Sequence, residues 1–141
     1  MLARVAFVVL SCAVLSGCSG GDDGAGSAVK SAADWAKVGE TENYVYYADY
    51  ASIKKADETV VMSDLFDYKT PQTDGGPAAL SKVTQREYDC QAKKSQPLKS
   101  SWYSGQMGSG SAVRSANSSN QWSPANPGTA TGGLLKAACG A

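Results

Sequence analysis

Cysteine carries most of the reactive chemistry this chain can offer, since four of its 141 residues are Cys and none is His. The absence of histidine removes Ser-His-Asp and Cys-His nucleophile arrangements, the His-Glu-x-x-His metalloprotease motif and nearly every catalytic zinc site. Ser52-Ile53-Lys54-Lys55 has the Ser-x-x-Lys spacing in which a lysine activates a serine, but the companion Ser-Asp-Asn and Lys-Thr-Gly elements are missing. Glu87 and Asp89, two apart on an expected strand, share a face and could pair for glycoside chemistry. A solvated strand face accounts for them equally well. The glycines near Gly108 and Gly110 lack the lysine and the strand-to-helix context of a phosphate loop. The expectation is a protein without enzymatic activity, cofactor or metal.

The cysteines sort by position. Arg4 supplies a positive start, and Val5 to Leu15 form an apolar run that ends in small residues, the pattern of an export signal. That run is far shorter than the roughly 20 apolar residues of a spanning helix. The junction Leu15-Ser16-Gly17-Cys18 resembles the bacterial lipobox, cut by lipoprotein signal peptidase. The resemblance implies a signal peptide over residues 1–17, which takes Cys12 with it, and a lipidated N-terminus at Cys18 carrying a diacylglyceryl group and an N-acyl chain such as palmitate. Acyl chains at about 0.8 kcal/mol per buried CH2 would then hold the protein on a membrane. Ser19, rather than Asp, after Cys18 resembles signals that permit sorting to an outer membrane. The alternative is an ordinary signal peptide, with Cys18 left as a thiol. Either the surface or the periplasmic face of that membrane is compatible with the sequence.

Cys90 and Cys139 stay in the exported part, and two thiols in an oxidising compartment are expected to pair. A loop of about 50 residues closed in this way stabilises the fold by roughly 4 kcal/mol on the chain-entropy model. A metal site is the competing use, but it would need further ligands.

These groups require elements to position them. Residues 18–31 are a Gly/Ser-rich flexible tether, and the domain is expected over 32–141. From Trp35 onward, short runs of Val, Tyr, Thr and Trp alternate with Gly, Asp, Asn and Pro clusters, as in strands joined by turns. Strands are expected at Asn43 to Ala48, Thr59 to Tyr68, Ser81 to Cys90 and Leu98 to Tyr103, with a short one at Ala112 to Arg114. Asp49 to Ile53 reads as a turn or short helical connection, Thr70 to Pro77 and Ser115 to Asn120 as loops, and Gly105 to Gly110 as a turn. In Thr59 to Tyr68, Val60, Met62, Phe66 and Tyr68 share one face with Asp64 as the exception, while Val61 and Leu65 occupy the other, as in a central strand partly covered on both sides. Ala130 to Ala138 has helical spacing with Thr129 as N-cap, weakened by Gly132 and Gly133. The fold class is α+β: a small antiparallel β-sheet with a C-terminal helix packed on it.

Two features suggest binding. Lys82, Arg86, Lys93, Lys94 and Lys99 crowd around a hairpin centred near Ala92, which could meet anionic host glycans or acidic protein segments, or could simply be solubilising lysines. Tyr44, Tyr46, Tyr47 and Tyr50 suit an interface or mixed core and edge packing. With 13 basic and 13 acidic residues the net charge is +0, which argues against nucleic acid as a partner.

The order of Trp35 with Val38-Gly39, Tyr47-x-Asp49 with Ser52-Ile53, Leu65-x-Asp67-Tyr68 and Glu87-Tyr88-Asp89-Cys90 continues through Tyr103-Ser104, Met107, Gly110, Trp122, Pro127-Gly128 and Cys139. This series resembles the surface-adhesin protein E family of bacterial lipoproteins. The resemblance implies a small antiparallel sheet with a C-terminal helix, a disulfide carried here by Cys90 and Cys139, and no enzymatic activity. It also implies partners among extracellular-matrix and serum proteins such as laminin and vitronectin. Separately from the resemblance, a homodimer is a candidate assembly. The runner-up is a periplasm-facing structural or assembly lipoprotein of the envelope.

Overall fold

The computed structural model describes residues 35–140. The leader, Cys18 and the tether over 18–31 lie outside the described residues, as do the first residues of the domain expected from 32. The strands are β1 (Ala36–Glu40), β2 (Tyr44–Ala56), β3 (Thr59–Gln72), β4 (Ala79–Asp89), β5 (Lys94–Tyr103), β6 (Ala112–Asn117) and β7 (Ser123–Pro124), followed by one helix, α1 (Ala130–Cys139). They form a single antiparallel meander in the order β1-β2-β3-β4-β5-β6, with β7 added to β5 through Lys94 and Ser95. Such a meander needs only short connections, which is why turn residues punctuate the sequence so regularly. The expected α+β arrangement is therefore the observed one.

Strand lengths are where sequence and structure part. Asp49 to Ile53 is not a connection but a bulge inside β2, where the register on β3 shifts between Asp49 and Lys54. The Asp49 carboxylate accepts from the Ala51 amide (3.1 Å), while Ser52 Oγ donates to the Asp49 carbonyl (2.7 Å) and accepts from the Ser63 amide (2.8 Å). The turn-forming side chains thus bend a strand without ending it, and Ser52 is occupied structurally. β3 likewise continues to Gln72 past Pro71 through a register shift after Asp67. β5 begins at Lys94 rather than Leu98 because Pro97 sits beside the irregularity between Gln85 and Arg86, where a missing amide is tolerated. β6 extends to Asn117 into the expected polar loop, and the short strands β1 and β7 were not anticipated.

Both faces of β3 are covered. On one, α1 lays Leu134, Leu135 and Ala138 against Ala48, Val60, Met62 and Tyr88. On the other, the 104–111 segment folds back over fully buried Leu65. There the Met107 amide donates to Asp67 (2.8 Å) and the Gly108 amide to Ser81 Oγ (2.9 Å), which itself donates to the Gly105 carbonyl (2.6 Å). Cys90 and Cys139 form a disulfide that ties the end of α1 to the end of β4.

Helix α1 starts as expected, with Thr129 Oγ1 accepting from the Gly132 amide (3.1 Å), and it stops at left-handed Gly140. The glycine at 132 has a specific use: a Cβ there would overlap the Asn126 carbonyl oxygen. Gly132→Ala should therefore lower stability by about 1–3 kcal/mol through overpacking, even though Ala is favoured by up to about 1 kcal/mol in a helix. Thermal melting of the variant measures this; a raised melting temperature would mean that the close approach is not maintained.

Candidate functional site

The face that carries α1 is covered by the helix only in part. Cross-strand register places Tyr46, Phe66, Lys82, Trp102 and Arg114 side by side in one row running across β2, β3, β4, β5 and β6. Alternation along each strand puts all of them on the helix-bearing face, because residues two apart return to the same side. Tyr44 and Tyr68 form the next row outward, and the rings of Tyr44, Tyr46, Phe66 and Tyr68 pack against one another. Of the four N-terminal tyrosines, two therefore belong to this aromatic patch, whereas Tyr47 pairs on the opposite face and Tyr50 is exposed.

Trp102 is flanked by cations. Lys82 Nζ lies 4.8 Å and the Arg114 guanidinium 4.5 Å from its ring centroid, both within cation–π range. The Tyr68 hydroxyl is pushed above its ordinary value by burial, with Arg114 opposing the shift. Arg114 donates through Nη1 to the Asp74 carbonyl, and its Nε is buried with no partner among the described residues. One row inward, fully buried Asp64 accepts from Arg86 Nε at 2.9 Å and from the Tyr88 hydroxyl at 3.4 Å. Asp64 is the exception seen in the apolar alternation of β3, and the structure gives its reason.

The electrostatics follow from this census. Burial raises the Asp64 carboxyl above its ordinary range, with Arg86 and Lys82 opposing the shift. Burial disfavours the charge on Arg86, but the Asp64 carboxylate outweighs it and keeps the guanidinium charged. Lys82 is lowered by burial, with Arg86 pushing the same way and Asp64 opposing. Asp64 is thus ion-paired with Arg86, and its charge also acts on Lys82 at longer range. Beside Trp102 a cavity of about 410 Å3 opens between Tyr68, Gln72, Asp74, Lys82 and Arg114.

The five basic residues expected to form one hairpin patch are distributed differently. Lys82 and Arg86 lie on this half-buried face, joined by Arg114 of β6. Lys99 pairs with Gln85 and Asn117 on the opposite face. Lys93 and Lys94 stand exposed at the β4–β5 turn. That turn is held by Asp89, whose carboxylate accepts from the Gln91 (3.0 Å) and Ala92 (2.8 Å) amides, and by the Lys93 carbonyl accepting from Ala125 (2.9 Å). Glu87 accepts from Thr59 Oγ1 and Gln96 Nε2, both at 2.8 Å, so the two carboxylates once considered as a pair have separate structural partners. Trp102 and Arg114 were not singled out from the sequence, since only the strand register reveals that they meet Lys82. Among the described residues no group of three or more His, Cys, Asp or Glu is placed to hold a metal ion.

The family model for surface-adhesin protein E matches residues 35–140. The chain belongs to the surface-adhesin protein E family. Its fold is similar to solved structures of Haemophilus influenzae protein E. The protein from a non-typeable strain is 16% identical, with 76% of each chain covered and a TM-score of 0.54. A second crystal form is also 16% identical, with 73% of this chain and 91% of that chain covered and a TM-score of 0.53. No curated protein matches the chain. At this identity the likeness shows the protein E fold: the antiparallel sheet with its C-terminal helix is shared, while the Trp102 row is read from this chain's own residues.

Proposed function

We propose that the chain is an outer-membrane lipoprotein, held through acylated Cys18, whose domain is a protein-binding surface module for host extracellular-matrix or serum proteins such as laminin or vitronectin. Membership of the surface-adhesin protein E family over 35–140 is the observation that supports this reading. The β4–β5 tip is the contact assigned to it. Lys93 and Lys94 are exposed there on a turn fixed by Asp89, by β7 and by the neighbouring disulfide, so little backbone freedom is lost when a partner docks.

Protease added to intact cells, with lysed cells as control, tests display: digestion of the domain in intact cells is expected. Protection until lysis would overturn it in favour of a periplasm-facing structural role. Reversing Lys93 and Lys94 to Glu should then weaken binding to immobilised laminin or vitronectin by roughly tenfold and reduce its salt dependence. Unchanged binding would remove the tip from the contact.

A further inference from the structure

We propose that the cavity beside Trp102 binds an acidic monosaccharide, a sialic- or uronic-acid residue, through its carboxylate. Asp64 is engaged by Arg86, so Lys82 and Arg114 lack a carboxylate within ion-pair distance among the described residues. Both cations are nevertheless held in place over the Trp102 ring, and the Asp74 carbonyl fixes Arg114 from the other side. Arg114, anchored by the Trp102 ring and the Asp74 carbonyl and with a buried Nε that has no acceptor among the described residues, is the cation oriented for an anionic group, and Lys82 adds positive charge from across the ring.

The rest of the lining decides what carries that group. Gln72 and Asp74 bring an amide and an acidic side chain to the rim, and Tyr68 and Trp102 bring aromatic surface. Acceptors at the rim match sugar hydroxyls and have no use for a bare anion. An acidic residue there also disfavours dianions such as phosphate. A volume of about 410 Å3 accommodates a hexose-sized ring with room for bridging water. This site is separate from the exposed Lys93–Lys94 tip, and its test does not depend on surface display or on binding to matrix proteins.

The full chain in detergent would be titrated with the methyl glycosides of N-acetylneuraminic acid and of glucuronic acid, with acetate, sulfate and methyl galactoside as controls, following the tryptophan indole N–H signals by NMR. Saturable binding of at least one sugar acid in the millimolar range is expected, and the preferred one identifies the source of the carboxylate. Arg114→Gln should weaken it about tenfold or more. Gln72→Ala, at the end of β3, should weaken the sugar acid several-fold while leaving acetate unaffected, and it decides the matter if the arginine variant does not fold. No saturation by either sugar acid, equal binding of acetate, sulfate or the neutral galactoside, or full retention of binding by the folded variants would overturn the proposal.

Discussion

Replacing Cys90 or Cys139 with Ser should lower the melting temperature of the domain by about 15 °C. The disulfide closes a loop with a sequence separation of 49, for which the chain-entropy model gives about 4 kcal/mol. For a domain of this size each kcal/mol shifts the midpoint by about 4 °C. The structure adds a local reason for a large effect. Helix α1 is ten residues long with two glycines, too short and too weak to persist alone, yet it supplies Leu134, Leu135 and Ala138 to the core over Val60, Met62 and Tyr88. Without the link from Cys139 to the end of β4, the helix is held by packing alone. Differential scanning calorimetry of either variant, or of the parent protein under reductant, measures the loss; a midpoint within about 2 °C of the parent would show that packing already suffices.

Asp64→Ala should be comparably damaging. The Arg86 side chain retains only 12% of its exposure, and with Asp64 gone it would keep a buried charge without its partner, a situation that typically costs about 3–5 kcal/mol. Lys82 on the same face would lose the carboxylate that offsets its repulsion from Arg86 and Arg114. The double replacement Asp64→Leu with Arg86→Met should instead recover most of the stability, since a buried ion pair is weak net support compared with apolar packing. If the double variant is as unstable as Asp64→Ala, the destabilisation comes from packing and not from the unpaired guanidinium. A pH signature accompanies the pair. Because burial raises the Asp64 carboxyl above its ordinary 3.8, the folded chain binds that proton more tightly than the unfolded chain does. The Asp64 contribution is then fully present below 3.8 and is lost as pH rises through the folded value. Asp64→Asn should flatten this part of the stability profile in urea titrations at several pH values.

Much of the fold was legible because local chemistry dictated it. The turn residues between alternating segments marked the meander, Thr129 marked the helix start, and Cys90 with Cys139, the two cysteines beyond the leader and tether expected from the sequence, marked the disulfide. Errors gathered where a local signal had two outcomes. Asp49 and Ser52 can end a strand or bulge it, and only pairing with Ser63 on β3 selects the bulge. Gly132 reads as a weak helical residue, and only the Asn126 carbonyl explains it.

The site shows the same division more sharply. Alternation alone made Asp64 anomalous within its own strand. It could not say which strands lie next to that one, or in what register. A basic cluster close in sequence was consequently expected at the hairpin, whereas folding sends Lys99 to the opposite face and leaves Lys93 and Lys94 at the tip. Trp102 and Arg114, the partners of Lys82, arrive from β5 and β6. By itself the sequence determined the α+β class, the cysteine pair, the lack of histidine chemistry and the family resemblance, because these rest on residue identity and short-range order. The row of Phe66, Lys82, Trp102 and Arg114 was decided by tertiary structure alone, because a one-residue change of register would move each strand's contribution to the other face of the sheet.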